Sequence, residues 1–263
     1  NSVDLSINMY GAAQVADELD ADEWATIGAD YAFGYETWDY FQAFCEGLDV
    51  DVEFIAEQYP ALGTSDYSPY INSVLNAEPD AVITPFWGAD LTTFIGQAEE
   101  AGWFDEVDYT LMTTGLGAEL TTDGPTLPVG EHAATRYDPF VPDTPENNTF
   151  RETYFEEYGR LPNYNAEGAY RAVYLYKEAI EAVGTDPEAI RDHFTGMEHT
   201  GPVGEYEFAE NTNQATLPAV WGEVSASDEY DDNVLNPVEL YDVTPQEMRD
   251  TLDAAGSDLP AGL

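Results

Sequence analysis

Aromatic and hydroxyl side chains follow several apolar segments of the sequence, and this grouping is its strongest chemical signal. Tyr31 and Phe33 come just after one apolar segment, and Trp87 comes just after another. The remaining candidates follow two later apolar segments and are Thr113, Thr114, Gly115 and Tyr137. Apolar walls with a few hydrogen-bonding groups are typical of a pocket for a small organic ligand. The alternative is that these aromatics only cover the ends of strands.

Side chains that usually carry catalysis or hold metals are scattered. His132, His193 and His199 lack metal-ligand spacing, and neither the zinc-protease pattern nor the Gly-x-Ser-x-Gly elbow occurs. Gly115-Leu116-Gly117 opens like a nucleotide-binding loop but lacks the third glycine, and the only lysine, Lys177, falls inside a helical pattern. We therefore expect a protein that is not an enzyme and that holds no cofactor or metal.

Acidic residues are too numerous for paired carboxylates to indicate catalysis. The 263 residues include 53 Asp and Glu against 7 Lys and Arg, a net charge of -46. Two acidic stretches, 17–23 and 228–232, lack the spacing of calcium loops and are expected to be solvated surface. Nucleic acid and anionic lipid surfaces are excluded as partners, since both need basic patches. Because such charge repels itself in dilute buffer and is screened in molar salt, we expect a halophilic protein.

The remaining composition is that of a folded chain, with 43% hydrophobic and 13% aromatic residues. The single cysteine, Cys45, lies on an apolar helical stripe, so we expect a buried thiol. No apolar run is long enough to span a bilayer, and no signal peptide is present. Since the sequence begins with Asn1 and not Met, we expect the natural N-terminus to be missing, with any leader or lipid anchor. The sequon Asn147-Asn148-Thr149 favours an extracytoplasmic location.

Helices and strands must alternate to position the candidate residues. Apolar periodicity predicts helices at 9–19, 35–48, 65–75 and 90–101, and strands at 24–29, 51–56, 80–84, 109–113 and 131–136. Ser65 and Asp90 are the predicted N-caps of two helices, and Gly102 the predicted C-terminal end of one. This alternation predicts an α/β fold with a doubly wound parallel sheet between two layers of helices. Ligands bind such sheets outside the carboxyl ends of the strands, where the candidates lie.

A different pattern follows a Pro- and Asp-rich crossover at 139–145. Helices are predicted at 148–158, 165–183 and 187–195, then strands at 204–208 and 218–224, an acidic tail from Ser225 and a helix at 244–254. The apolar faces of the first three helices need a cover. Either they pack on the first domain, or their sheet is missing from this chain.

Several short motifs occur in the order known from one protein family. They are Tyr158-Gly159 with Pro162, Ala169-Tyr170-Arg171-Ala172-Val173, Gly201-Pro202-Val203-Gly204, the turn at 30–34 and the helix start at 64–68. Through them nearly the whole chain resembles the leucine/isoleucine/valine-binding proteins of ABC transporters. The resemblance implies the periplasmic binding protein type 1 fold.

The resemblance also implies two lobes and a shortened chain. Residues 1–138 would form the second lobe, 139–216 helices and a strand of a first lobe whose sheet core is missing, and 217–263 a return to the second lobe with an acidic C-terminal tail. Family members are longer, which implies an N-terminal truncation. Phe33 and Trp87 would be aromatic walls of the cleft. The acid that often pairs with a ligand ammonium group is absent near Gly115, so an amide or carboxylate ligand stays open beside an amino acid.

The function implied is that of an extracytoplasmic solute-binding component of a branched-chain amino-acid-type ABC importer. Its partners would be a small-molecule solute and the permease subunits with their ATPase, and its two lobes would close on the solute. The alternative is a ligand-sensing domain of a receptor or regulator on the same fold. A third reading is an enzyme such as an acidic glycoside hydrolase.

Overall fold

Helices and strands alternate through the first half of the chain, as the apolar periodicity predicts. The computed structural model describes residues 4–114, 127–210, 214–227, 230 and 233–261. The elements of this half are α1 (Leu5–Glu18), β1 (Glu23–Ile27), α2 (Ala32–Gly47), β2 (Glu53–Gln58), α3 (Ser68–Leu75), β3 (Ala81–Thr84), α4 (Gly88–Ala101), α5 (Trp103–Glu106), β4 (Tyr109–Met112) and β5 (His132–Thr135).

The second half begins with helices and ends with strands. Its elements are α6 (Pro145–Tyr158), α7 (Tyr164–Val183), α8 (Pro187–Phe194), β6 (Glu198–Gly201), β7 (Gly204–Glu207), β8 (Ala219–Ser225), β9 (Val234–Tyr241) and α9 (Pro245–Ala254). The sequence pattern missed β9, which lies within the predicted acidic tail. It is an exposed edge strand that contains Pro237 and Glu239, so it lacks the apolar alternation of an inner strand.

Seven strands form one sheet in the order β2-β1-β3-β4-β5-β8-β9. The strands from β1 to β5 run parallel, whereas β8 and β9 pair in antiparallel fashion. Successive strand residues enter two different cores: Ile83 joins the core with α1, α2 and α9, and Val82 joins the core with α3, α4 and α5. Helices therefore cover both faces, and the predicted doubly wound α/β fold is confirmed.

Both predicted N-caps, Ser65 and Asp90, are wrong. The helix α3 begins at Ser68 after Tyr67, and α4 begins at Gly88 after Trp87. Asp90 instead lies in the first turn of α4, and its carboxylate accepts a hydrogen bond from the backbone N–H of Gly63 at 3.2 Å. An acceptor side chain that pairs with another loop does not cap its own helix. The left-handed Gly102 ends α4 as predicted, with φ of 76°.

The crossover after β5 is held by one buried asparagine. Asn147 accepts a hydrogen bond from the Tyr137 hydroxyl at 2.7 Å and donates to the carbonyls of Pro142 at 3.0 Å and Asp138 at 3.4 Å. Its side chain is fully buried. The sequon at this position thus forms the turn into α6, and it does not support an extracytoplasmic location, because a glycan acceptor must be exposed.

One apolar face of the second half is uncovered by the described residues. Along α7, the side chains of Val173, Tyr176 and Ile180 are 67%, 54% and 41% exposed. Cys45, in contrast, is fully buried, as predicted. Among the described helices, none combines the length and the apolar character needed to cross a membrane.

Candidate functional site

The carboxyl ends of β1 and β3 meet where the order of the strands reverses. The chain passes from β1 outward to β2 and then returns across β1 to β3, so α2 and α4 start on opposite sides of the sheet. Tyr31 is the N-cap of α2, and Trp87 is the N-cap of α4. Such a reversal leaves a space between the two helix starts, which is the usual ligand position in open α/β sheets.

Three aromatic side chains wall this space, which we call the crevice. The indole N–H of Trp87 donates to the Tyr31 hydroxyl at 2.8 Å. The rings of Tyr31 and Phe33 lie 6.1 Å apart, centroid to centroid. Trp87 is 52% exposed, whereas Tyr31 and Phe33 are half-buried. The structure thus brings together the three aromatics that the sequence placed on two different strand ends.

Two glycines allow α2 to start directly against β1. A Cβ on Gly34 would lie 2.1 Å from the carbonyl oxygen of Ala29, and a Cβ on Gly28 would lie 2.7 Å from Pro85. Neither distance is possible for a real side chain. These close approaches fix the positions of Tyr31 and Phe33 relative to the turn that carries Trp87.

The end of β4 supports the Trp87 turn. The Thr114 hydroxyl donates to the carbonyl of Phe86 at 2.6 Å, and the Thr113 N–H donates to the carbonyl of Thr84 at 3.1 Å. Asn8 of α1 donates to the Thr113 carbonyl at 3.1 Å. The Thr113 side chain is buried, and its hydroxyl has no hydrogen-bond partner among the described residues. Gly115, also predicted at this end, lies outside the described residues.

Tyr137 does not share these contacts. Its ring packs edge-on against Phe150 with centroids 5.9 Å apart, and its hydroxyl binds Asn147. Burial raises the pKa of Tyr137 well above its ordinary range. Tyr137 was predicted to lie in the site because it follows the carboxyl end of β5, where open sheets bind ligands. Its side chain instead turns toward the crossover and α6. Its proposed contact with a ligand therefore has no support from the geometry.

The backbone makes the crevice favourable for negative charge. The helices α2 and α4 both begin there, and neither N-cap side chain bonds to the first turn. A helix N-terminus stabilises an anion by about 0.3–1 kcal/mol. Two acids lie at the starts of these helices and already have partners: Asp30, next to Tyr31, accepts from the Tyr35 hydroxyl, and Asp90, in the first turn of α4, accepts from the Gly63 N–H. The bond to Asp30 raises the pKa of Tyr35.

A second concave surface lies between the β6–β7 hairpin and the start of α9. Its lining includes His199 and six acidic residues, which are Glu178, Glu198, Glu205, Glu207, Asp242 and Glu247. The His199 ring lies 3.2 Å from the Glu178 carboxylate. Across the described part of the chain, no group of three or more His, Cys, Asp or Glu side chains is placed to hold a metal ion. This groove resembles the rest of the acidic surface and offers no specific chemistry.

Comparisons with known proteins agree with the fold. The profile of a family described as periplasmic binding protein matches residues 2–229. The Leu/Ile/Val-binding protein homolog 4 of Brucella melitensis is 28% identical over 174 residues, which are 61% of this chain and 39% of that protein. The chain thus spans about two fifths of the length of the curated relatives it matches.

Solved structures share the fold over nearly the whole chain. An amino acid ABC transporter substrate-binding protein from Pseudomonas fluorescens superposes with a TM-score of 0.77 at 21% identity, covering 98% of this chain and 68% of that one. An ABC-transporter solute-binding protein from Rhodopseudomonas palustris, in complex with benzoate, gives a TM-score of 0.78 at 16% identity, covering 94% and 66%. At these identities the likeness shows the fold alone, and the fold is the one expected from the motifs. Because the profile also matches most of the sequence, the chain belongs to the periplasmic binding protein family.

Proposed function

We propose that the chain is the solute-binding component of an ABC importer and that it captures a small organic solute in the crevice. The observation that carries this proposal is Trp87, which is 52% exposed yet held in place by its hydrogen bond to Tyr31 at the switch point of the sheet. An oriented, exposed tryptophan is typical of a binding surface. The relatives named for leucine, isoleucine, valine, amino acids and benzoate support a small organic solute.

The proposal includes a second wall for the crevice. In it, residues 1–138 and 217–263 belong to one lobe, and 139–216 belong to the other. The exposed stripe of α7 supports this division, since Val173, Tyr176 and Ile180 recur at spacings of three and four residues and need an apolar cover. A sheet outside this sequence would cover the stripe and complete the first lobe. Closure of two lobes would then bury the solute against Phe33 and Trp87.

The location, partners and mode of action follow from the same proposal. The protein acts outside the cytoplasm, binds its solute without chemical change, and delivers it to permease subunits driven by their ATPase. The family match supports this assignment. The acidic surface, with its net charge of -46, suits a halophilic source.

The test is solute binding by a variant that lacks two of the three aromatic walls. We expect Phe33→Ala/Trp87→Ala to lose the saturation-transfer NMR signal of a bound solute when amino acids, aromatic acids and amides are screened in molar salt. This method detects binding near a Kd of about 1 mM, the range expected when only one wall of a cleft is present. Val129→Ala is the control, since Val129 is 61% exposed and lies outside the crevice. Equal signals from the double variant and the wild type would refute the assignment.

A further inference from the structure

We propose that Asp138 is a pH-sensitive switch in the crossover: its neutral carboxyl keeps residues 139–144 packed against α6, and its charged carboxylate favours an opened crossover. The crossover leads from β5 into α6, so it joins the sheet-bearing part of the chain to α6, α7 and α8. Its packing therefore affects how firmly these two parts are held to each other. The inference depends neither on the solute nor on the crevice.

Asp138 gives the crossover its shape. One oxygen of its carboxyl, Oδ1, accepts hydrogen bonds from the N–H groups of Phe140 at 2.8 Å and Val141 at 3.1 Å. An acceptor side chain that bonds to the backbone two residues later forms an Asx turn. The backbone carbonyl of Asp138 also accepts from the amide of Asn147 in α6 at 3.4 Å. The turn and the start of α6 therefore meet at this one residue.

The carboxyl of Asp138 is nearly closed to water, since the residue is 2% exposed. It lines a cavity of about 30 Å³, together with the segments 161–163 and 233–235. A cavity of that size has room for only a few water molecules. The two segments contribute apolar and amide side chains to its walls and no charged group. A carboxylate in such surroundings loses most of its hydration, and this disfavours the charged form.

The two arginines that are nearest to Asp138 in the sequence are bonded elsewhere. Arg151 of α6 donates to the carbonyl of Pro139 at 3.1 Å and lies over the Phe140 ring, 5.1 Å from its centroid. Arg136, at the end of β5, lies over a ring of α7, 5.4 Å from its centroid. Among the described residues, neither arginine forms an ion pair with Asp138. The cost of burying its charge is therefore not offset by a direct counter-charge.

The other titratable groups of this region have their own partners. Glu167 of α7 pairs with Arg171 at 3.1 Å. Tyr137 stays neutral at physiological pH, because burial raises its pKa well above the ordinary range. Asp143, the second carboxylate of the crossover, is exposed and accepts from the Asn148 amide at 2.7 Å. Asp138 is thus the buried carboxyl on which the packing of the turn depends.

The direction of the switch follows from this burial. Burial raises the pKa of Asp138 from 3.8 to about 6, although the two N–H groups and Arg151 lower it. An opened crossover returns the carboxyl to water and to its ordinary pKa, so the packed form binds the proton more tightly. The stability gained from this proton is present below pH 3.8 and lost as the pH rises through 6. Because each pKa unit is a factor of ten, the opened population rises on the order of a hundredfold across this range.

Two NMR measurements on the full chain in molar salt test the switch. The carbon-13 shift of the Asp138 carboxyl is expected to titrate with a midpoint near pH 6. Amide exchange at Phe140 and Val141, corrected for intrinsic rates, compares the wild type with Asp138→Asn, which keeps an acceptor oxygen without the charge. Between pH 5 and pH 7.5, we expect the wild type to lose about tenfold in protection relative to this variant.

The matched control is Asp143→Asn, which removes an exposed carboxylate from the same segment and should leave the wild-type pH dependence unchanged. A midpoint near pH 4 for Asp138 would show that its carboxyl reaches water in the packed crossover, and the proposal would fail. Equal pH dependence of exchange in the wild type and Asp138→Asn would also overturn it. Faster exchange in Asp138→Asn than in the wild type at pH 7.5 would show that the charge holds the turn, which reverses the proposed direction. The carboxyl titration uses the wild type alone and stands without the variant.

Discussion

The Trp87 indole donates to the Tyr31 hydroxyl at 2.8 Å, and this bond joins the ends of β1 and β3 across the switch point of the sheet. Both residues are helix N-caps, yet neither side chain caps its helix. The indole N–H of Trp87 and the hydroxyl oxygen of Tyr31 bond to each other, and the faces of both rings remain available for contact with a ligand. The pair thus orients two aromatic surfaces at the position where open α/β sheets bind ligands.

If Trp87 serves binding, its removal should barely affect stability. We expect Trp87→Ala to change the free energy of unfolding by less than about 1 kcal/mol, since half of the side chain is already in water. Trp103 is fully buried and donates to the Thr110 hydroxyl at 3.0 Å, so Trp103→Ala should cost about 3–5 kcal/mol. Urea unfolding at constant molar salt compares the two. Similar losses would assign Trp87 to the core.

Gly34 tests how tightly the site depends on the start of α2. Since a Cβ there would lie 2.1 Å from the Ala29 carbonyl, Gly34→Ala must displace the helix start. We expect a loss of about 1–3 kcal/mol and a shift of the Tyr31 and Phe33 resonances. Gly96→Ala, inside α4 with nothing within 4 Å of the added Cβ, is the matched control and should stabilise by about 0.5–1 kcal/mol. Equal effects of the two changes would contradict the close approach.

That three aromatic side chains of the candidate site lie together could be predicted from the sequence, because one rule governs their position. In a parallel sheet, residues that follow successive strands converge on one edge, so Tyr31, Phe33 and Trp87 could be grouped before their distances were known. The same rule also grouped Tyr137 with them, although its side chain lies against Asn147 and Phe150, because the rule locates a strand end but not the direction of a side chain. That direction depends on Asn147, ten residues later, whose buried amide accepts the tyrosine hydroxyl.

Features that depend on contacts between residues far apart in the chain cannot be predicted from the pattern of the sequence. The strand β9 carries Asn236, Pro237 and Glu239, and pairing with β8 makes it a strand in spite of that composition. Asp90 is a predicted N-cap because Asp commonly caps helices, but its carboxylate accepts a hydrogen bond from the Gly63 N–H instead. The hydrogen bond between Trp87 and Tyr31 spans 56 residues and has no periodic signature.

Asn147 should be essential for the crossover and inaccessible to glycosylation. We expect Asn147→Ala to cost about 1–3 kcal/mol, since it removes the hydrogen bonds to the Tyr137 hydroxyl and to the carbonyls of Asp138 and Pro142, of which only Pro142 keeps another donor, the Thr144 N–H. Asn148→Ala removes only an exposed hydrogen bond to Asp143 and should cost less than about 0.5 kcal/mol.

Expression in a glycosylating host, followed by intact-mass measurement, should show no glycan on Asn147. An added glycan would show that this asparagine is exposed before the crossover folds.

Glu131 should make stability depend on pH near neutrality. Burial raises the pKa of its carboxyl from 4.5 to about 7, although it accepts a hydrogen bond from the Thr110 N–H. The folded state therefore holds this proton more tightly than the unfolded chain, and the resulting stability is present below pH 4.5 and lost as the pH rises through 7. Glu131→Gln keeps an acceptor without the charge. It should match the wild type near pH 4 and exceed it by about 1–3 kcal/mol at pH 8.

Denaturant unfolding across this pH range measures the difference, and the exposed edge-strand variant Glu53→Gln is the charge-matched control. Parallel curves for Glu131→Gln and the wild type would show that the carboxyl is not desolvated in the folded state.

The surface charge predicts a stability that depends on salt through screening. The surface of 12522 Å² carries about one net negative charge per 270 Å², a spacing of about 16 Å. That spacing lies within the Debye length of about 30 Å at 0.01 M salt and far beyond the length of about 3 Å at 1 M. We expect the thermal midpoint to rise by at least about 10 °C between these concentrations of KCl, since each kcal/mol of relieved repulsion raises it by about 2–4 °C.

Salt can also strengthen apolar burial, and pH separates the two causes. Near the isoelectric point of about 4.1, the carboxylates are largely neutralised and the dependence on KCl should nearly vanish. A salt dependence of equal size at pH 4 and pH 7 would assign the effect to apolar burial instead of charge repulsion.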